Sequence, residues 1–132
     1  MPGTEASYYN AASLSVTPSG RYLWAITRGS RNANPARNSQ LSCFLLAEDG
    51  SIVKRMFVMA TMVSTAGTNA VTPAPWNEEY AVVAESGSGS IVVMRLASPK
   101  TGEHGVEYAG AEQVARLTIS DKQCCANAVW YS

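Results

Sequence analysis

Long apolar runs, an excess of either charge and a regular cysteine framework are what this sequence lacks, and histidine occurs once. None of its 132 residues lies in a stretch approaching the ~20 apolar residues of a transmembrane helix, so no such helix is expected. The N-terminus, MPGTEASYY, has neither a basic start nor a long apolar run, and no signal peptide is expected. Ten basic and ten acidic residues cancel, which removes the electrostatic case for a nucleic-acid or membrane partner. Charged residues make up 15% of the chain against roughly 25% of average soluble domains, as expected if much of the surface is buried against something. His104 is the single histidine; in the loop TGEHG, with no second histidine and no nearby cysteine, it offers no metal site. Cys43, Cys124 and Cys125 are an odd number without framework spacing. Neighbouring cysteines rarely bridge without strain, and Cys43 sits in an apolar strand as a small buried hydrophobe. A reduced, cytoplasmic setting is the expectation.

What the chain does have is one phrase that comes round three times: NAASLSVTP (10–18), TNAVTPAPW (68–76) and CANAVWYS (125–132). The spacing is about 57 or 58 residues, long enough for a unit of four strands. The first phrase is followed by YLWAIT (22–27), LSCFLLA (41–47) and IVKRMFVM (52–59); the second by YAVVAE (80–85), SIVVMRL (90–96) and EQVARLTI (112–119). Four strand-sized segments per unit, twice, with a leftover opening strand, predict an all-β fold: a β-propeller fragment of two four-stranded antiparallel blades, about 10–66 and 67–120, plus the inner strand of a closing blade at 126–132. The runs YLWAIT and YAVVAE are β-branched, aromatic and apolar on both faces, as strands inside a packed blade should be. Pro18-Ser19-Gly20 and Pro75-Trp76-Asn77 mark turns before them. Glu48-Asp49-Gly50-Ser51 is a hairpin turn, and its counterpart in the second unit, 98–110, is a longer loop. AEQVARL (111–117) has helix-forming residue types, but the repeat register makes it an outer strand.

Closed propellers need about four to eight blades, so 1–132 is expected to be a single partial domain and the end of a longer protein. Open blade faces would leave Leu23, Trp24, Val92 and Val93 without neighbours, an apolar surface that favours self-association. The loop RGSRNANPARNS (28–39) carries Arg28, Arg31 and Arg37 without an acid. Guanidinium groups suit carboxylates; Arg31 and Arg37 read first as solvated, and Arg28, adjoining the strand, is the better candidate. ESGSGS (85–90) opens no helix, so it fails the nucleotide fingerprint and reads as a tight hairpin.

The runs 64–96, 8–29 (YYNAASLSVTPSGRYLWAITRG) and 126–132 (ANAVWYS) together resemble the C-terminal part of the fungal carboxy-cis,cis-muconate cyclase family, seven-bladed propellers within the lactonase-type group that also includes 6-phosphogluconolactonase. The resemblance implies that the chain matches about the last third of such a protein, with 126–132 in the blade where the ring closes. It implies cofactor-free, metal-free isomerase chemistry: one carboxylate of a muconate tricarboxylate adds to an alkene carbon of the same molecule, giving a lactone in aromatic catabolism. Such a reaction needs cationic donors to orient carboxylates and an acid to protonate carbon, gathered at the central channel from several blades. Where the family reads Tyr-Arg-Ala-Asp, with the arginine a proposed substrate-binding and catalytic group, this chain reads Tyr9-Asn10-Ala11-Ala12. Asn10 still donates a hydrogen bond but carries no charge, and charge-assisted bonds are roughly twice as strong.

Asn69 and Asn127 open inner strands, where side chains can line the channel or satisfy a turn. Glu85 ends an apolar strand as a channel acid or a solvated carboxylate. Trp76 and Trp130 read as blade-packing residues. Three functions stand: a fragment or truncated member of the cyclase family, inactive alone, with a small carboxylate substrate when complete; a propeller lactonase acting on a sugar lactone; and a non-catalytic remnant that binds a partner.

Overall fold

The apolar runs form eight strands in chain order: β1 (Tyr9–Val16), β2 (Tyr22–Gly29), β3 (Asn38–Leu46), β4 (Ile52–Ser64), β5 (Thr68–Pro73), β6 (Tyr80–Glu85), β7 (Ser90–Gly102) and β8 (Gly105–Thr118). This computed structural model describes residues 9–29, 38–64, 68–119 and 128–131. Two four-stranded antiparallel sheets result, ordered β1-β2-β3-β4 and β5-β6-β7-β8. Each strand pairs with its neighbour in sequence, so short turns suffice. The two four-stranded sheets expected from the repeat are thus observed, and no helix occurs among the described residues.

Turn chemistry ends the strands where the sequence says it should. Between β3 and β4, Gly50 takes φ 83°, a left-handed conformation that costs a residue without Cβ little. Asp49 Oδ1 accepts from Ser51 N at 2.9 Å and so closes the turn. Between β6 and β7, Ser88 N and Gly89 N donate to the carbonyls of Glu85 and Ser86, the tight hairpin expected of ESGSGS.

The sheets lie face to face with the core between them. From the first come Tyr22, Trp24, Ile26, Leu41, Cys43, Leu45 and Phe57; from the second, Val71, Ala81, Val83, Val92, Met94, Leu96 and Tyr108. Period-two alternation selects them: Trp24 pairs with Cys43 and Cys43 with Phe57, so all three point the same way. Burying each such side chain contributes about 1.5–3 kcal/mol. Trp24 and Val92 are therefore enclosed between the sheets, a correction to the expectation that they lie on open faces; Leu23 and Val93, one residue out of phase, are the half-buried ones.

The segment 98–110 is also corrected from loop to strand. β7 and β8 run on as a long ribbon, pairing Pro99 with Tyr108 and Gly102 with Gly105. Pro99 is tolerated because β7 has outgrown β6 there, the last pair being Tyr80 with Arg95, so no ladder bond is lost on that side. Ser98, at φ 55°, marks the departure. AEQVARL lies in β8 as the repeat register required.

One interval recurs in the contacts that β5 makes on its two sides. Val71 N donates to Ser13 Oγ at 3.4 Å, 58 residues away, joining β5 to β1. Trp130 Nε1 donates to the Thr72 carbonyl at 2.9 Å, again 58 residues away, and Thr72 Oγ1 donates to the Ala128 carbonyl, 56 residues away. Residues 128–131 thus meet β5 much as β5 meets β1, although they form no strand. Trp76, 59% exposed, packs edge-on against Trp130 with centroids 5.0 Å apart.

Candidate functional site

An antiparallel meander brings alternate strand ends together. The starts of β1, β3, β5 and β7 and the ends of β2, β4, β6 and β8 share one end of the two sheets, and the polar residues singled out from the sequence collect there. Asn10 and Arg28 are cross-strand partners, so their side chains project from the same face. Asn10 is exposed and Arg28 half-buried. Arg28 Nε donates to the Thr68 carbonyl at 3.3 Å, which ties the first sheet's cation to the first residue of β5. Beside it, the hydroxyls of Thr61 and Thr68 lie 3.3 Å apart within the core, and Asn38 Nδ2 donates to the Thr61 carbonyl at 3.5 Å. Ser39, fully buried, has a hydroxyl without a partner among the described residues.

Glu85 is at the same end but not as a solvated carboxylate, and that reading is corrected. It is 3% exposed; its Oε2 accepts from Arg116 at 3.0 Å and from Ser88 Oγ at 3.4 Å. Its strand alternates into the interior at that position, sharing a face with Val83 and Ala81, so the side chain is carried between the sheets. Arg116 was not foreseen. The signal was present, because once AEQVARL is a strand Arg116 pairs with Val92 and faces the core side. Asn69 falls in β5, with its side chain outside the described residues. Arg31, Arg37, Cys124, Cys125 and Asn127 also lie outside them. The structure therefore brings together Asn10, Arg28 and, behind them, the Glu85–Arg116 pair.

The opposite end is polar in a different way. Glu78 Oε1 accepts from Ser19 N at 2.9 Å, Arg21 donates to the His104 carbonyl at 3.0 Å, and Lys54 is ion-paired with Glu107. Tyr108 donates to Glu79 Oε1 at 2.7 Å; burial, then this carboxylate, pushes its hydroxyl well above the usual phenol range. The Glu78–Ser19 and Arg21–His104 contacts join the two units and border an open groove of about 870 Å³, and Lys54–Glu107 joins the sheets outside it. Among the described residues no group of three or more metal-binding side chains occurs.

What the first end can do follows from its donors. A guanidinium held by a backbone carbonyl, with an amide on the adjoining strand, suits a carboxylate anion. No acid positioned for proton transfer stands beside it among the described residues, since Glu85 is committed to Arg116.

Two stacked four-stranded meanders whose inner strands meet at one sequence interval are the arrangement of successive propeller blades. No family model matches the chain. A curated protein does: over 130 residues the chain is 28% identical to the carboxy-cis,cis-muconate cyclase of Neurospora crassa, an alignment that takes in 98% of this chain and 32% of that protein. The chain thus spans about a third of the length of this curated relative, and the family resemblance read from the residues is reproduced by the alignment.

Proposed function

We propose that this chain is a two-blade arc of a lactonising propeller of the carboxymuconate cyclase kind, contributing one carboxylate-binding position to a site that further blades complete. The observation that carries the reading is the 28% identity over nearly the whole chain, in a fold whose sheets repeat as blades do. Arg28, fixed by the Thr68 carbonyl, is the cation that would receive a substrate carboxylate, with Asn10 beside it as a neutral donor. In such a site the two would orient the anion for internal addition to an alkene, and the proton for carbon would come from another blade.

A second reading, a non-catalytic remnant, is favoured by Asn10 itself. The family arginine there would contribute a charge-assisted bond worth about 1.5–3 kcal/mol, roughly a ten- to hundredfold effect on rate. One experiment addresses both readings. This chain replaces the corresponding third of the Neurospora crassa cyclase, and loss of carboxy-cis,cis-muconate absorbance is followed. The chimaera is expected to turn over slowly, its Asn10→Arg variant about ten- to hundredfold faster, and the chain alone not at all. A folded chimaera inactive with either residue would support the remnant, and turnover by the chain alone would overturn the need for further blades.

A further inference from the structure

Between the sheets lies a cavity of about 130 Å³. The first sheet contributes Leu41, Met59, Ala60 and Thr61, and the second Val83, Val92 and Met94, with Glu85 and Gln113 on its wall. Leu41, Val83, Val92 and Met94 form its buried floor, and the exposed Ala60 and Gln113 mark the side on which it opens.

We propose that this cavity is a binding site for a single small aromatic ring carrying one hydrogen-bond donor, a ligand of phenol's size. Size comes first. An aliphatic-lined cavity of about 150 Å³ stays dry and takes up benzene, and the space here is nearly the same. Shape and softness come next: Met59 and Met94 adapt to irregular contents and make favourable sulfur contacts with aromatic rings. The polar wall then selects among rings. Glu85 is an acceptor whose Oε2 already receives Arg116 and Ser88, and an ionised carboxylate offers about four lone-pair sites. A ring O–H directed at it adds a charge-assisted bond, whereas a ring bearing a carboxylate would meet like charge. The ligand class is therefore distinct from the carboxylates suited to Arg28.

The test uses the full chain with 13C-methyl methionine, the Met59 and Met94 signals being assigned by Met→Leu exchange at each. Phenol titration should shift both methyls together and saturably, with half-saturation near about 1 mM, an affinity within reach of a seven-atom ligand. Benzene should bind several-fold more weakly and cyclohexane more weakly still. Val83→Phe, which fills the space, should abolish the shifts while the rest of the spectrum stays dispersed; if it unfolds the chain, Val92→Leu serves instead. Absence of saturable shifts up to about 20 mM, cyclohexane binding as well as phenol, or shifts that persist in a folded cavity-filled variant would overturn the proposal.

Discussion

The ion pair between Glu85 and Arg116 joins a side chain 3% exposed to one 27% exposed. Breaking a buried pair from one side strands the other charge, whereas replacing both partners by apolar groups of similar volume is often neutral. Arg116→Ala, which leaves the buried Glu85 unpaired, is therefore expected to destabilise the chain by about 1–3 kcal/mol in urea denaturation, and the Glu85→Leu, Arg116→Met double variant by less. Equal losses would mean that the pair acts only through shape. Cys43 shows the opposite treatment of a titratable group: burial raises its thiol to about 12, leaving a neutral hydrophobe in the core, as its apolar surroundings in sequence implied. Glu85 was harder to read. A residue at a strand end looks solvated from sequence, and only its partner, 31 positions away in a segment of helix-forming types, makes burial affordable.

At the scale of elements, the β7–β8 ribbon acts as an arm of the second sheet that grips the first. Tyr108 stands edge-on to Tyr22, with ring centroids 6.1 Å apart, and Lys54 pairs with Glu107. The hydrogen bond from Lys54 holds the Glu107 carboxyl below the usual range. A carboxyl lowered in the folded state contributes stability above its unfolded value, about 4.3, and loses it as pH falls through the lowered folded value. The urea midpoint should accordingly fall with pH below about 4.5, and Glu107→Gln should flatten that limb; identical pH profiles for the two proteins would dismiss the arm's role. Strand existence was legible for β1 to β8 from β-branched runs and turn residues, whereas the closing strand read at 126–132 is not a strand over its described residues, 128–131. The arm was not, because Pro99, Gly102, Gly105 and Gly110 signal a loop, and a ladder continued by tertiary pairing overrode them.

For the molecule as a whole, the outer face of the first sheet carries exposed apolar side chains. Leu14 is 68%, Val16 51%, Ile52 59% and Val58 39% exposed, and their pairings with Ala25, Leu23, Leu46 and Ser42 set them on the side opposite Trp24 and Cys43. Such a patch favours association. Sedimentation at micromolar concentration should show species larger than one chain, and Leu14→Glu combined with Ile52→Lys should shift them toward the monomer. A compact monomer before substitution would count against the patch as an adhesive surface. The repeat made both sheets and their stacking legible, but not which residues face outward: Leu23 and Trp24 look equally apolar in sequence, and one step of strand phase separates surface from core.

The recurrence of the interlayer contacts at 58, 58 and 56 residues limits how this molecule can lengthen. Each layer recognises the next by counting along the chain, so growth is quantised. A duplication of one whole interval, inserted between β4 and β5, would hand every new inner strand a ready-made neighbour. A half-interval would instead present an outer strand where an inner one is read and would leave a sheet incomplete. The architecture accepts additions only in whole units.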